Sequence, residues 1–534
     1  MTKSWRDVNA IYQIYPRSFK DTNGDGVGDL RGIIEKIDYL KGEDKSLGVD
    51  AVWLSPIFSS PQIDCGYDIS DYRSIDPLFG GMAMFDELLL QAHKRDLKVM
   101  LDLVPNHSSD QHTWFKESSS SRDNSKRDYY IWRDAKSDGT PPNNWLSISG
   151  GSAWQWHDKT GQYYLHSFLP SQPDLNWDNP EVRQEIFEIM RFWFEKGVDG
   201  FRVDAIWPLS KNFAAGDNPR NPEYYAGDED YGSYIHQNSK GGPKLCEYLR
   251  MMSDVALEYK NKFLVYEFYP DDRFGSRFDQ YSAIQKVAPG VSSTFYFEAF
   301  QTEWWARKFQ EKFNAFGTWY DQLPVASLGN HDQTRIASKF GMAQAKALAL
   351  MQLSLPGIPA IYYGDELGML DVEIPQNYKH DNFAGGAGMD ARDKYRTPMR
   401  WNSDILNNAG FSNSNPWLPI GDNLDWLNVE SEQNTDHSFF NLYKKMLTLR
   451  SEYTALRYGE YSTWQDTSDD IMTFKRNYND EIFYILINFT DRQINTNIPS
   501  RGRVVASTNT TDEYDIENSL TLNAFEAILV KAYQ

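Results

Sequence analysis

The stretches KVMLDLVP (98–105), GFRVDAI (200–206), FLVYEF (263–268) and LPVASLGN (323–330) decide the fold of this chain. Each is a short run rich in Val, Ile, Leu and aromatic residues with little polar alternation, which is typical of strands buried on both faces of a parallel sheet. Runs of the same kind begin at Ile11, Val49, Ser293 and Ile358. The sequence therefore predicts about eight strands in one parallel sheet.

Amphipathic segments lie between several of these runs and predict the helices that connect them. The clearest is PEVRQEIFEIMRFWFEKG (180–197), with Asn179 as N-cap, Pro180 in the first turn and Gly197 at the end. About eight strand-then-helix units predict an α/β protein with a (β/α)8 TIM barrel. A doubly wound open sheet is the alternative, but that fold rarely contains so many units.

The chain is too long for one domain, since 534 residues exceed the roughly 250–300 at which a single core stops growing. About 70 residues between the third and fourth runs are too many for a βα loop and predict a domain inserted after strand 3. Alternating runs such as IFYILINFT predict a C-terminal antiparallel β domain. The predicted domains are the barrel's first part (1–105), the inserted domain (106–176), the barrel's second part (177–455) and a C-terminal β-sandwich (456–534).

The composition excludes several classes of protein. Asp and Glu number 75 against 54 Lys and Arg, and the net charge of −21 repels nucleic acid and anionic membranes. The two cysteines, Cys65 and Cys246, are too few for a disulfide framework. The start of the chain carries no signal-peptide pattern, and no run approaches the roughly 20 apolar residues of a membrane span. We expect a cytoplasmic monomer or weak homo-oligomer without nucleic-acid or membrane partners.

Three carboxylates follow hydrophobic runs at the ends that face the active site of a barrel, namely Asp204, Glu267 and Asp332. A single one of them would more often be a helix cap or a loop charge. Three such carboxylates, accompanied by His107 and His331, favour a catalytic site.

The surroundings of two of these carboxylates predict different protonation states. Arg202 and Asp204 are two residues apart, so they share a strand face, and the guanidinium should lower the pKa of Asp204 and keep it ionised. Glu267 lies among aromatic and apolar residues that should raise its pKa and keep it protonated. An ionised nucleophile and a protonated acid are the pair that glycoside hydrolysis needs, and Asp332 could hold sugar hydroxyls and offset positive charge in the transition state.

The segment DTNGDGVGD (21–29) has oxygen-bearing residues at alternate positions, like the start of an EF-hand loop. The twelfth position is Gly32 and not the bidentate Glu, so we predict a lone Ca²⁺ site, with Mg²⁺ as an alternative, or a turn without metal. The nine histidines show no HExxH pattern, and we predict no catalytic zinc.

Ordered motifs along nearly the whole chain resemble the α-amylase family of glycoside hydrolases (family 13). Four stretches resemble its four signature regions, in order: DLVPNH (102–107), GFRVDAI (200–206), VYEF (265–268) and GNHD (329–332). Three further stretches resemble motifs of its oligo-1,6-glucosidase and α-glucosidase branch: QPDLN (172–176), GIPAIYYGDELGM (357–369) and RTPMRW (396–401).

The resemblance implies a retaining double displacement on a barrel with an inserted domain and a C-terminal β-sandwich. It implies that Asp204 is the nucleophile, Glu267 the acid/base and Asp332 the transition-state stabiliser. The implied sugar contacts are Arg202, His107 and His331, a stacking platform at Tyr67, and the pair Asp64 and Arg392, which closes the pocket and implies exo-action. The implied metal ligands are Asp21, Asn23, Asp25, the Val27 carbonyl and Asp29.

Two residues depart from or refine this pattern. Tyr266 stands where these enzymes usually have Gly, and we expect it to crowd the site or to form a wall for the aglycone. Ala205 follows the nucleophile position, where a small residue resembles enzymes with an α-1,4 preference, against the hint from QPDLN.

The predicted function is an exo-acting α-glucosidase for short oligosaccharides and disaccharides, α-1,4 before α-1,6, with sucrose included. The alternative is a glucosyl-transferring isomerase of the sucrose isomerase or trehalose synthase type. An endo-acting amylase and a non-catalytic relative are weaker alternatives, because the Asp64 and Arg392 pair predicts a blocked end and all three carboxylates are present.

Overall fold

The structure is a computed structural model that describes residues 3–225, 227, 230–382, 391–421, 425–464 and 469–533. Its centre is a closed barrel of eight parallel strands, which confirms the predicted fold class. The barrel strands are β1 (Ile11–Ile14), β2 (Ala51–Leu54), β3 (Lys98–Leu103), β4 (Gly200–Val203), β5 (Phe263–Tyr266), β6 (Ser292–Tyr296), β7 (Val325–Ser327) and β8 (Ile358–Tyr362). They are neighbours in chain order, and β8 closes on β1 with Ile11 opposite Ala360. Because the sheet is closed, the doubly wound alternative is wrong.

The barrel strands and their helices follow the sequence pattern closely. Every residue of the eight strands is buried, which explains why their runs lack polar alternation. The side chain of Asn179 accepts a hydrogen bond from the Glu181 N–H and begins the helix Pro180–Lys196, which ends at Gly197 with a φ of 114°. The α-helices are Leu30–Glu35, Ile37–Leu40, Gly81–His93, Thr113–Ser118, Pro180–Lys196, Leu245–Leu257, Arg277–Gln285, Glu298–Gln301, Ala306–Phe313, Phe316–Trp319, Ile336–Phe340, Met342–Ser354, Val429–Gln433, Phe439–Glu452 and Thr454–Tyr458.

Between β3 and the helix Pro180–Lys196 the chain forms a small insertion with its own antiparallel sheet. Its strands are Trp132–Arg133, Gln162–Leu165 and Trp154–His157, in that spatial order. Trp145, Trp154 and Leu165 belong to a buried cluster separate from the barrel core. A further two-stranded sheet, Phe58–Ser59 with Asp71–Ile75, follows β2.

The C-terminal part is an antiparallel β domain, as predicted. Its main sheet has the spatial order Glu460–Ser462, Ile471–Tyr478, Glu481–Asn488, Ala527–Ala532, Gly502–Ser507 and Tyr514–Ile516. A second sheet pairs Ile494–Asn497 with Ser519–Leu522. Two buried arginines, both 0 % exposed, tie this domain to the barrel. Arg476 of the β domain donates to the carbonyl oxygen of Ser354, and Arg450 of the helix Phe439–Glu452 donates to that of Leu456.

A long connection after β4, residues 207–242, was not expected from the sequence and is called the β4 connection below. Its described residues include the 3-10 helices Trp207–Leu209, Phe213–Ala215 and Asp230–Ser233. It packs against the insertion: Asn144 Nδ2 donates to the carbonyl of Asn218, and the buried Lys211 ammonium lies 2.9 Å from Asp174. The insertion and the β4 connection therefore contact each other and lie over the same end of the barrel.

Some predictions stay untested by this fold. The domain boundaries after residues 105, 176 and 455 stay predictions, as do the oligomeric state and the cytoplasmic location. Within the described ranges, no helix combines the length and the apolar character that crossing a bilayer requires.

Candidate active site

A cavity of about 630 Å³ opens where the barrel strands end. The predicted site residues that line it are Asp64, Tyr67, His107, Asp204, Glu267, Asp332 and Arg392. Arg202 and His331 lie directly beneath and are bonded to lining residues, with exposures of 1 % and 0 %. The nine predicted catalytic and sugar-contact residues are thus gathered in one place.

Arg202 is the centre of the catalytic cluster. Its Nη1 lies 2.6 Å from Asp204 Oδ1 and its Nη2 lies 2.6 Å from Glu267 Oε1. Nη1 is also 2.7 Å from Oδ1 of Asp102, a residue at the end of β3 that the sequence reasoning did not assign a role. One guanidinium therefore holds three carboxyl groups in a fixed arrangement.

The pKa of Asp204 differs from the predicted one. Burial, together with the nearby carboxyl groups of Glu267 and Asp102, raises the pKa of Asp204 well above its usual value although Arg202 opposes it. Burial likewise raises the pKa of Asp102 to about 6. The predicted lowering of the Asp204 pKa is therefore wrong, because burial and the neighbouring carboxyl groups outweigh the effect of Arg202.

The surroundings of Glu267 also differ from the apolar shell that the sequence indicated. Its Oε1 contacts Arg202, and its Oε2 accepts a 2.9 Å hydrogen bond from the Ala205 N–H. Ala205 holds a φ of 43°, in the left-handed region that few residues other than glycine adopt. This local turn directs the backbone N–H of Ala205 at the acid/base position.

Asp332 is the carboxylate with the most cationic surroundings. Its Oδ1 lies 3.1 Å from Arg392 Nη1 and 2.8 Å from Arg396 Nη2. Burial works against ionisation of this group. The N–H of the His331 ring and the guanidinium groups of Arg392 and Arg396 outweigh burial and hold the pKa of Asp332 well below its usual range. Asp332 is therefore an ionised carboxylate next to the Arg202 cluster.

His331 links Asp332 to the stacking platform. Burial lowers the pKa of His331 well below its usual value, so the ring is neutral. Gln13 Nε2 donates to its Nδ1 over 2.8 Å, which places the ring proton on Nε2. Nε2 lies 2.6 Å from the Tyr67 hydroxyl and 3.1 Å from Asp332, and the rings of Tyr67 and His331 are nearly parallel, at 2°.

The pair predicted to close the pocket is formed. Arg392 Nη2 lies 2.7 Å from Asp64 Oδ1, and Asp381 accepts from the same guanidinium at 2.7 Å. Gln172 donates to Asp64 over 2.9 Å. Gln172 and Arg396 belong to the motifs QPDLN and RTPMRW and could have been found from them, whereas Asp381 carries no such signal.

His107 acts as a neutral hydrogen-bonding group. Burial lowers its pKa to about 4, so the ring carries no charge at neutral pH. Its Nε2 lies 3.2 Å from the carbonyl oxygen of Tyr67 and 3.2 Å from Gln172. The ring is thereby fixed at the rim of the pocket next to Asp64.

Tyr266 does not line the cavity, so its predicted role as an aglycone wall is wrong. Successive residues of a strand face opposite sides, so when Glu267 points to the cavity its neighbour Tyr266 points outwards. The hydroxyl of Tyr266 donates to the Leu249 carbonyl and lies 2.8 Å from Ser253 Oγ, both on the helix Leu245–Leu257.

The predicted metal loop is compact and lies apart from this cavity. Asp21 accepts hydrogen bonds from the N–H groups of Gly24 and Gly26, and Asp29 accepts one from Gly32 and caps the first helix. The loop packs against residues 411–417, since a Cβ at Gly26 would lie 2.2 Å from a carbonyl oxygen there. Across the described part of the chain, no three Asp, Glu, His or Cys side chains are grouped as a metal would require.

A (β/α)8 barrel with paired carboxyl groups at the strand ends is the arrangement expected of a glycoside hydrolase. The family model for the alpha amylase catalytic domain matches residues 13–459, and the chain belongs to the alpha-amylase family, in its α-glucosidase branch. An oligo-1,6-glucosidase from Bacillus cereus is 37 % identical over 574 residues, covering 99 % of this chain and 100 % of that protein.

Solved structures of related enzymes superimpose along nearly the whole chain. One is an alpha-glucosyl transfer enzyme, XgtA, with a TM-score of 0.89 and 35 % identity over 99 % of this chain and 100 % of that one. Another is an isomaltulose synthase from Klebsiella sp. LX3, with a TM-score of 0.86 and 36 % identity over 99 % of both chains. Hydrolases and glucosyl-transferring enzymes are thus similar to this chain to the same degree.

Proposed function

We propose that this enzyme is a retaining, exo-acting α-glucosidase that releases glucose from the non-reducing end of short α-glucosides. The observation that carries the proposal is the Arg202 guanidinium, which holds an oxygen of Asp204 and an oxygen of Glu267 each within 2.6 Å of its terminal nitrogens. Two carboxyl groups that contact one guanidinium lie close together, which favours a retaining mechanism. Retaining enzymes need carboxyl groups about 5–5.5 Å apart, and inverting enzymes need a wider gap for water.

In the first step, a carboxylate oxygen of Asp204 attacks the anomeric carbon, and the bond from that carbon to the leaving oxygen breaks. Glu267 gives its proton to that oxygen. In the second step, Glu267 removes a proton from water, the water oxygen attacks the same carbon, and the ester to Asp204 breaks. The proposal is supported by the position of Glu267, which lines the same cavity as Asp204 and shares the Arg202 guanidinium with it.

Asp332 and the pocket-closing pair supply positioning and charge. The ionised Asp332 offsets the positive charge that develops on the sugar ring, which electrostatic stabilisation predicts to be a large term. The buried contact between Asp64 and Arg392 supports exo-action, because a pair that closes one end of the pocket would limit the number of sugars beyond the cleaved bond. Tyr67, held by His331, offers the ring face beneath that sugar.

For the linkage, we propose a preference for α-1,4 over α-1,6 bonds, with sucrose as a further substrate. The small side chain of Ala205 lines the cavity next to Asp204 and supports this preference. The second candidate is a glucosyl-transferring isomerase, which the likeness to an alpha-glucosyl transfer enzyme and an isomaltulose synthase favours.

The anomer of the first-formed glucose tests the reaction. During maltose hydrolysis followed by proton NMR, we expect α-glucose to appear first from the non-reducing end and to mutarotate later. β-Glucose as the first product would contradict a retaining mechanism. Isomaltulose or trehalose as the main product from sucrose or maltose would favour the isomerase.

We also propose that the loop 21–29 holds one Ca²⁺, with Mg²⁺ as the alternative. The residues that would hold it are Asp21, Asn23, Asp25, the Val27 carbonyl and Asp29. The support is the oxygen-only donor set and the tight turn at Gly24 and Gly26, which have φ values of 81° and 87°. A bound ion would connect this loop more firmly to residues 411–417.

Thermal unfolding with and without the ion tests the site. Free Ca²⁺ at 100 times its dissociation constant should stabilise the protein by about 2.7 kcal/mol. The variant Asp21→Asn should lose this increment, and the exposed Asp44→Asn should keep it. Equal unfolding temperatures in Ca²⁺ and in chelator would contradict the proposal.

A further inference from the structure

A second concave site, which we call the junction cleft, lies where the barrel meets the C-terminal β domain. Its lining comes from the helix Met342–Ser354, from the segment 426–439, and from Thr508 and Asn509 of the β domain. Its volume is about 430 Å³, within the range of roughly 300–1,000 Å³ that is usual for small-molecule sites. None of the residues that line the cleft also lines the active-site cavity. The junction cleft is therefore a separate site with room for a small molecule.

The aromatic side chain that this cleft offers to a ligand is Trp426. Trp426 is 44 % exposed, and within the described ranges its ring stacks on no other ring and its indole N–H has no hydrogen-bond partner. Two other tryptophans are exposed in the described part of the chain, but their N–H groups are engaged. The indole of Trp156 donates to Asp158, and that of Trp305 donates to Asp469. Trp426 therefore presents a free apolar face together with a free donor.

Polar groups without protein partners also line the cleft. The imidazole ring of His437 and the side-chain amide of Asn509 are exposed, and neither is hydrogen-bonded to any residue that the structure describes. An amide offers donors and an acceptor, and an imidazole ring offers at least one donor. His437 precedes the helix Phe439–Glu452, whereas Asn509 belongs to the β domain. A ligand with several hydroxyl groups could therefore bond to both parts of the protein at once.

The lysine and the glutamate of the cleft are already engaged with the protein. The Lys346 ammonium donates to the carbonyl oxygen of His437 and lies 5.1 Å from the centre of the Phe439 ring. Glu432 is buried, and its carboxyl group accepts a 3.1 Å hydrogen bond from the N–H of Phe440. One cation and one acid in the same lining also offset each other. The cleft therefore favours an uncharged ligand over an anion or a cation.

We propose that the junction cleft binds a short oligosaccharide, with one sugar ring stacked on Trp426 and its hydroxyl groups bonded to Asn509 and His437. A sugar ring has an apolar C–H face for the indole and hydroxyl groups for the free donors and acceptors. A hydrocarbon or an inorganic anion would satisfy only one of these two features. The inference does not rest on the proposed function, because the cleft shares no lining residue with the cavity that contains Asp204 and Glu267.

Fluorine NMR of protein labelled with 5-fluorotryptophan tests the proposal. Trp426→Phe identifies the Trp426 signal, because this substitution removes it. In Asp204→Asn, which should leave maltotriose uncleaved, added maltotriose should shift the Trp426 signal and half-saturate at millimolar concentration. Adding Asn509→Ala should raise the half-saturating concentration about fivefold, the effect of losing one hydrogen bond. Adding Asn495→Ala, at an exposed position in the other sheet of the β domain, should leave that concentration unchanged.

Three outcomes would overturn the inference. The first is a Trp426 signal that does not move up to the solubility limit of maltotriose. The second is a shift with benzyl alcohol or inorganic phosphate in place of the sugar, and the third is an equal half-saturating concentration with and without Asn509→Ala. Trp426→Phe and Asn509→Ala alone should hydrolyse 4-nitrophenyl α-glucoside within about twofold of the wild-type rate, which shows that both variants fold. A wild type that hydrolyses no α-glucoside would contradict the proposed function and leave the sugar-induced shift as a separate result.

Discussion

The floor and the apolar wall of the cavity are built from different parts of the chain and by different forces. The floor consists of the carboxyl groups and arginines at the barrel strand ends, such as Asp204, Glu267 and Arg202. Its contacts are charge-assisted hydrogen bonds that fix geometry. The apolar wall comes from the insertion and the β4 connection, and its residues are Trp145, Leu146, Ile148, Ala153, Leu165, Phe168, Trp207 and Pro208.

We expect the floor to determine the chemical step and the wall to determine which substrates are accepted. In the proposed function the floor performs the bond cleavage that all substrates share, so its residues should affect all substrates equally. If the wall contacts the group that leaves or arrives, its residues should affect substrates unequally. Substitutions in the two regions should therefore produce different patterns across a set of donors.

The largest effect is expected for Asp204→Asn in the floor. An amide cannot form the glucosyl ester, so kcat should fall by about 10⁴-fold or more for every donor. Hydrolysis of 4-nitrophenyl α-glucoside and of maltose measures the loss. The exposed Asp436→Asn should retain wild-type rates. A loss below tenfold, or a loss confined to one donor, would contradict the assignment of Asp204 as the nucleophile.

The floor could be predicted from the sequence because its residues are fixed to predictable strands. Asp204, Glu267 and Asp332 each follow a buried hydrophobic run, and a parallel barrel brings all strand ends to one side. Their protonation could not be predicted, since it depends on how many acids share one cation. Only the structure places Asp102 against Arg202 as the third acid.

The wall could not be predicted, because its residues lie in segments without regular periodicity. Ile148 is in a Ser- and Gly-rich stretch of the insertion, and Trp207 begins a connection of some 36 residues that carries no strand or helix pattern.

Tyr266 shows the opposite error. The family pattern drew attention to its position, but strand alternation, which was available from the sequence, directs its side chain away from the cavity.

A medium effect on the stability of the folded protein is expected when the pH is lowered. It comes from a histidine in the β4 connection, which also contributes residues to the wall. Burial lowers the pKa of His236 in the β4 connection from 6.5 to about 4. Its Nε2 donates to the Tyr231 carbonyl, and its buried Nδ1 has no hydrogen-bond partner within the described residues. Protonation of Nδ1 would therefore bury an unpaired charge.

The sign of the pH effect follows from proton uptake. Between pH 6.5 and 4 the unfolded chain binds the proton and the folded protein does not, so the contribution of His236 is complete above pH 6.5 and declines as the pH falls towards 4. By pH 5 the loss is about 2 kcal/mol, or roughly 2 °C in a protein of this size. Relative to the wild type, the melting temperature of His236→Gln should rise by this amount between pH 7.5 and 5. A constant difference across this range would contradict the predicted pKa.

The smallest effect is expected for Tyr266→Phe, and it tests whether this residue belongs to the wall at all. The substitution removes the hydroxyl that donates to the Leu249 carbonyl, so the free energy of unfolding should fall by about 1–2 kcal/mol. The ratio of kcat/KM for 4-nitrophenyl α-glucoside to that for maltose should stay within twofold of the wild type, because the side chain points towards the helix Leu245–Leu257. Tyr266→Phe and Ile148→Asn, measured side by side, separate a stabilising residue outside the cavity from a selecting residue inside it. A large change in this ratio of kcat/KM values without loss of stability would contradict this placement and indicate that Tyr266 contacts the aglycone.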